Sequence, residues 1–198
     1  MSLVMLKKLT LPIIIFLLNA LIITTFSNNT LAQPSVRVST LQVEHLLDVP
    51  FKPSNMAFIG QKDILVLDRE EGKVYKILDY KLVPKPILDV NVATIGYRGM
   101  LGIGTLASED NITYIFLYYT EAVGKDGDDA LDGKTPLGNR LYRYQLEDGK
   151  LVNPKLLLDL PVNPGPRHTG GEVAVGPDNN VYLTVETQMV RLRGLLRP

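Results

Sequence analysis

Beyond Gln33 the apolar residues come in short runs, many of them alternating with polar ones, and the runs are cut by Gly, Pro, Asn and Asp. A period of two puts successive side chains on opposite faces of a strand, whereas almost no window keeps an apolar stripe at helical spacing. The pattern predicts an all-β chain with strands over 55–58, 64–68, 73–78, 86–90, 101–106, 112–120, 140–146 and 155–160. A last group covers 172–175, 181–185 and 189–192.

Three stretches echo one another: 58–67, 108–117 and 174–183 each read as a strand, a polar turn and a stronger strand. A repeat of about fifty residues built from four short strands is the period of a β-propeller blade. An irregular β-sandwich with similar hairpins gives the same local pattern. The middle repeat carries an insertion, 124–136, rich in Asp and Gly. Clustered carboxylates suit a hard cation, but the spacing is not that of an EF-hand and no closing glutamate is present, so the segment is read as a solvated hairpin tip and no metal ligand is assigned.

The N-terminus has a different grain. Lys7 and Lys8 precede a mostly apolar run over 9–26, and Thr30-Leu31-Ala32 before Gln33 offers a small-residue cleavage site. Residues 1–32 therefore read as a signal peptide or, uncleaved, as an N-terminal membrane anchor, since the run is about as long as a short membrane span. Either way the expectation is a secreted or extracytoplasmic protein that meets a membrane only through this segment.

Composition narrows the chemistry. The absence of cysteine excludes a disulfide framework, a thiolate metal site and a cysteine nucleophile. With 21 basic and 21 acidic residues the formal net charge is zero, and no basic stripe points to nucleic acid. Of the two histidines, His45 has no motif around it, whereas His168 stands in Arg167-His168-Thr169-Gly170-Gly171-Glu172, directly before a strand signal. An imidazole titrates near neutrality and can accept and return a proton. Glycines beside it let a sugar or a planar cofactor approach the backbone. No nucleophile-elbow motif supports a hydrolase.

The run from His168 through Gly170-Gly171 to Gly176-Pro177-Asp178 resembles the His-x-Gly-Gly…Gly-Pro-Asp signature of the PQQ-dependent glucose/sorbosone (aldose sugar) dehydrogenases. The likeness extends over about 43–185. It includes Asp68-Arg69-Glu70-Glu71-Gly72-Lys73-Val74, Arg98-Gly99-Met100-Leu101-Gly102-Ile103, Ile115-Phe116-Leu117-Tyr118-Tyr119-Thr120 and Asn139-Arg140-Leu141-Tyr142-Arg143-Tyr144. The resemblance implies a six-bladed β-propeller of four-stranded antiparallel sheets, of which 33–198 supplies about three blades and is C-terminally truncated. It also implies PQQ and calcium as cofactors, an aldose substrate, an external electron acceptor, and His168 as the base that takes the proton from the sugar's C1 hydroxyl.

Three positions depart from the family pattern. Tyr97 stands where some members place a sugar-contacting glutamine, and Arg167 where some place an aspartate, so both are expected at the substrate. Beyond Val185 the family continues with Gly-Asp and three further blades, whereas this chain reads Glu186-Thr187-Gln188 and soon stops. Most residues that would clamp the quinone and its calcium belong to the part not present. The expected function is oxidation of an aldose, with a non-catalytic, secreted propeller-like binding module as the alternative. An open set of blades is also expected to leave 115–119 partly unprotected.

Overall fold

The structure is a computed structural model that describes residues 36–123, 136–162, 169–185 and 188–194. The chain divides into two compact units, Met1–His45 and Leu46–Pro198. In the described part of the first unit, a turn is closed by Leu41 N donating to Val38 O. The leader read at 1–32 and the insertion at 124–135 lie outside the described residues.

The second unit is all-β, with three antiparallel sheets that follow one another along the chain. The first sheet holds β1 (Pro53–Phe58), β2 (Ile64–Asp68), β3 (Lys73–Leu78), β4 (Lys81–Leu82) and β5 (Leu88–Asp89). The second holds β6 (Met100–Ala107), β7 (Thr113–Ala122), β8 (Pro136–Glu147) and β9 (Lys150–Leu160). The third holds β10 (Val173–Val175), β11 (Val181–Val185) and β12 (Gln188–Leu192).

The five strands of the first sheet occupy four positions. β4 and β5 both pair with β3, at Ile77↔Leu82 and at Val74↔Leu88. Between them Val83 N donates to Lys76 O and Ile87 N to Val74 O. The outermost strand is thus one strand broken where Pro84 and Pro86 supply no N–H, as suits a sheet edge. The pattern reading found its second half and missed Lys81–Leu82.

The repeat is real at the level of single hydrogen bonds. Each of the first two strands of a sheet is joined by a turn closed in the same way: Ile59 N to Asp63 O, Ser108 N to Ile112 O, and Gly176 N to Asn180 O, all at 2.9 Å. These are the three polar turns of the echoing stretches. Each sheet is a blade, and its first strand packs beside the first strand of the next. Ser54 Oγ donates to Met100 O at 2.6 Å, and Thr105 Oγ1 to Phe58 O at 3.2 Å, so β1 and β6 run in the same direction.

Apolar cores fill the spaces between blades. Leu65, Leu67 and Val74 meet Ile115, Leu117 and Tyr119 between the first and second blades. Phe116, Tyr118 and Leu141 meet Val173, Val181 and Leu183 between the second and third. β7 therefore sends alternate side chains into two different cores, which is why its sequence is a continuous apolar run rather than an alternation. The expectation that 115–119 would be partly unprotected is corrected, since all five residues are buried. The outer flank of the first blade is also partly covered: Leu47, Phe51 and Tyr75 pack on Ile64, Val66 and Ile77, with the Phe51 and Tyr75 rings stacked at 4.6 Å.

Candidate functional site

The starts of β1, β6 and β10 converge at one end of the blade stack. Asn55 on β1 links all three, donating from Nδ2 to Leu101 O at 3.3 Å and to Glu172 Oε2 at 2.9 Å. The segment that follows His168 is built into this end. Thr169 is buried, and its carbonyl accepts a 2.7 Å hydrogen bond from the hydroxyl of the fully buried Tyr118. Glu172 N donates to Thr184 Oγ1, and Thr184 N returns a bond to Glu172 O.

Glycine is required here by close approach. A Cβ on Gly171 would sit 2.1 Å from Tyr118 Cδ1, and one on Gly102 would sit 2.2 Å from Gly171 O. The Gly-Gly pair of the motif thus lets the third blade lie directly on the Tyr118 ring, and Gly102 lets β6 approach it from the side.

Tyr97 is carried on a loop whose two ends close on one residue. Ala93 N donates to Thr120 O at 2.9 Å, and Thr120 N donates to Gly99 O at 3.0 Å. Within the loop, Arg69 Nε donates to Arg98 O at 3.0 Å and Arg69 Nη2 donates to Gly96 O. The carbonyl between them, Tyr97 O, accepts from Thr169 Oγ1 at 3.0 Å. The side chain of Tyr97 itself remains 64% exposed.

The structure therefore brings Tyr97 to the segment that carries the histidine motif, across 72 residues of sequence. His168 and Arg167 lie outside the described residues. Sequence reasoning noted Arg69 only as part of a first-blade motif, and it gave no part to Asn55, Thr169 or Glu172. Their signal was weak because each acts through a contact with a distant segment. Thr169 and Glu172 did at least fall inside the motif.

Chemically, this end offers an exposed phenol that can donate and accept a hydrogen bond, an exposed carboxylate at Glu172 and a backbone approach opened by glycine. Such a set suits a polyhydroxylated ligand, whose hydroxyl groups need both donors and acceptors and whose C–H faces pack on aromatic rings.

Residues 51–193 match the family model described as Glucose / Sorbosone dehydrogenase. Quinoprotein glucose dehydrogenase B of Acinetobacter calcoaceticus is 28% identical over 157 residues, covering 77% of this chain and 30% of that protein. Among solved structures, an oxidoreductase described as a glucose dehydrogenase from Thermus thermophilus superposes with a TM-score of 0.61 at 22% identity, covering 76% of this chain and 47% of that one. The PQQ-bound form of aldose sugar dehydrogenase from Streptomyces coelicolor gives 0.60 at 19% identity, with coverages of 76% and 47%. The chain thus spans about half the length of the solved propellers it matches and less than a third of the curated relative. The blade architecture is that of about half a six-bladed propeller, and with a family model covering well over half of its residues the chain belongs to the glucose/sorbosone dehydrogenase family.

Proposed function

We propose that the protein serves the oxidation of an aldose at C1, contributing sugar binding through Tyr97 and Arg167 and proton removal through His168. The observation that carries the reading is the 3.0 Å bond from Thr169 Oγ1 to Tyr97 O, which joins the exposed Tyr97 to the residue next to His168. In this reading His168 accepts the proton of the C1 hydroxyl, a task matched to an imidazole at neutral pH. Oxidation also needs a hydride acceptor, which in the family the sequence resembles is PQQ held with calcium, and an external acceptor to reoxidise it.

The described residues do not fit that cofactor. Among them, no group of three or more His, Asp or Glu side chains could hold a metal ion. Of the two described arginines at the Tyr97 loop, Arg69 is engaged with main-chain carbonyls and Arg98 is fully buried. Neither presents an open cationic surface for a tricarboxylate, so no residue is assigned to the quinone. A second reading is a non-catalytic, secreted propeller-like binding module that holds a ligand at the exposed Tyr97 and Glu172 without oxidising it.

Calorimetric titration with D-glucose and other aldoses, followed by dye-linked oxidation after addition of PQQ and calcium, tests both. Binding together with dye reduction that falls at least about a hundredfold in His168→Gln supports the base. Binding with no dye reduction supports the module, and failure of every aldose to bind overturns the oxidation. Export is proposed on the leader pattern, and mass analysis of the protein's N-terminus separates cleavage before Gln33 from a retained anchor beginning at Met1 or Ser2.

A further inference from the structure

We infer that Arg69 and Thr169 are positioning residues that hold the Tyr97 loop ready for its ligand, and so determine affinity without touching it. Three successive carbonyls of the loop, those of Gly96, Tyr97 and Arg98, are each taken by a side-chain donor from outside it. Arg69 comes from the β2–β3 turn of the first blade and Thr169 from the segment before β10 of the third, so the loop is held from two blades at once. Its ends are pinned by main-chain bonds to Thr120 of the second.

The arrangement spends specific donors on a segment whose only large exposed side chain is Tyr97. A backbone fixed in this way carries little ordering cost when a ligand meets the phenol, because the loop's conformational freedom is already lost in the free protein. Arg69 suits the task because its planar fork reaches two carbonyls on either side of Tyr97, which a lysine cannot do from one geometry. Thr169 suits it because one small side chain, with its carbonyl already fixed by Tyr118, spans the gap between blades. The geometry stands by itself, and the ligand, an aldose, rests on the function proposed above.

The chain has no tryptophan, so Tyr97→Trp creates a sole fluorescent reporter at the loop tip. In that background, Thr169→Val removes the hydroxyl at nearly constant shape, Thr169→Ser keeps it, and Arg69→Ala and Arg69→Lys remove all or part of the fork. The expected result is a fall in tryptophan anisotropy for Thr169→Val and Arg69→Ala. D-glucose affinity, measured by calorimetry on the same two substitutions in the protein that keeps Tyr97, should weaken about tenfold. Thr169→Ser should retain the parent values and Arg69→Lys should fall between. Circular dichroism matching the parent separates loosening of the loop from unfolding.

Unchanged anisotropy and unchanged glucose affinity in folded Thr169→Val and Arg69→Ala overturn the clamp while leaving the sugar reading intact. Lowered anisotropy in those variants, with no glucose binding by calorimetry in the protein that keeps Tyr97, supports the clamp and removes the aldose.

Discussion

Three tyrosines from neighbouring strands form a line through the second blade. The Tyr119 and Tyr144 hydroxyls lie 3.2 Å apart, and the Tyr119 ring stacks on Tyr142 at 5.3 Å. Tyr142 donates to Glu121 Oε2 at 2.7 Å, and Arg140 holds the same carboxylate at 2.9 Å. Burial raises the phenol pKa of Tyr119 and Tyr144, and burial together with the Glu121 bond pushes that of Tyr142 up to about 12. A phenol in the unfolded chain titrates near 10, so the folded state holds these protons more tightly. The stability that Tyr142 contributes is fully present below about pH 10 and is lost as pH rises through about 12. Thermal melts across that window, read beside tyrosinate absorbance, should show a falling midpoint in which deprotonation accompanies unfolding. Tyr142→Phe should lower stability by about 1 kcal/mol at neutral pH by removing the donor to Glu121, and should flatten the upper part of the pH profile. A midpoint that stays level through pH 12 counts against the buried hydroxyl line.

Among the elements, the strands that sequence pattern located best are those whose burial is decided locally. Ile64–Asp68, Lys73–Leu78 and Val181–Val185 coincide with their expected bounds. β8 extends back to Pro136 because Glu121↔Gly138 and Ala122↔Pro136 pair it with β7, and β9 begins at Lys150 because Glu147↔Lys150 pairs it with β8 at the turn. Cross-strand partners stabilise those ends without any apolar alternation to announce them. The site was legible in the same uneven way. The family likeness marked Tyr97 and the histidine segment with its Thr169, but the hold of Arg69 on the Tyr97 loop comes from another blade and leaves no local trace. The glycines give the sharpest element-scale prediction, since Gly171 is the point where the third blade rests on Tyr118. Gly171→Ala should destabilise the protein by about 1–3 kcal/mol in urea unfolding, because either the ring or β10 must shift. Gly171→Ala with Tyr118→Leu should recover part of that loss, since the smaller side chain opens the space. Equal stability of Gly171→Ala and the parent would show that the blades can part without cost.

At the scale of the molecule, the three blades bury their facing sides well, whereas β1 of the first blade stays largely exposed. Met56 and Phe58 are each more than half exposed although both are large and apolar. Two residues apart on β1, they share one face of the strand and form a single patch rather than scattered points. Met189, on β12 of the third blade, is also exposed. Among the described residues β12 pairs with β11 alone. An exposed apolar strand face favours association between copies, because each new contact removes apolar area worth about 25 cal/mol per Å² from water. The protein is therefore expected to run above its monomer mass in size-exclusion chromatography with light scattering, with the excess growing with concentration. Met56→Ser with Phe58→Ser should shift it towards the monomer without altering circular dichroism, since neither side chain belongs to an interblade core. A monodisperse monomer over the whole concentration range would mean that the β1 face is covered in solution, and the segment covering it would then be sought by hydrogen exchange over 53–58.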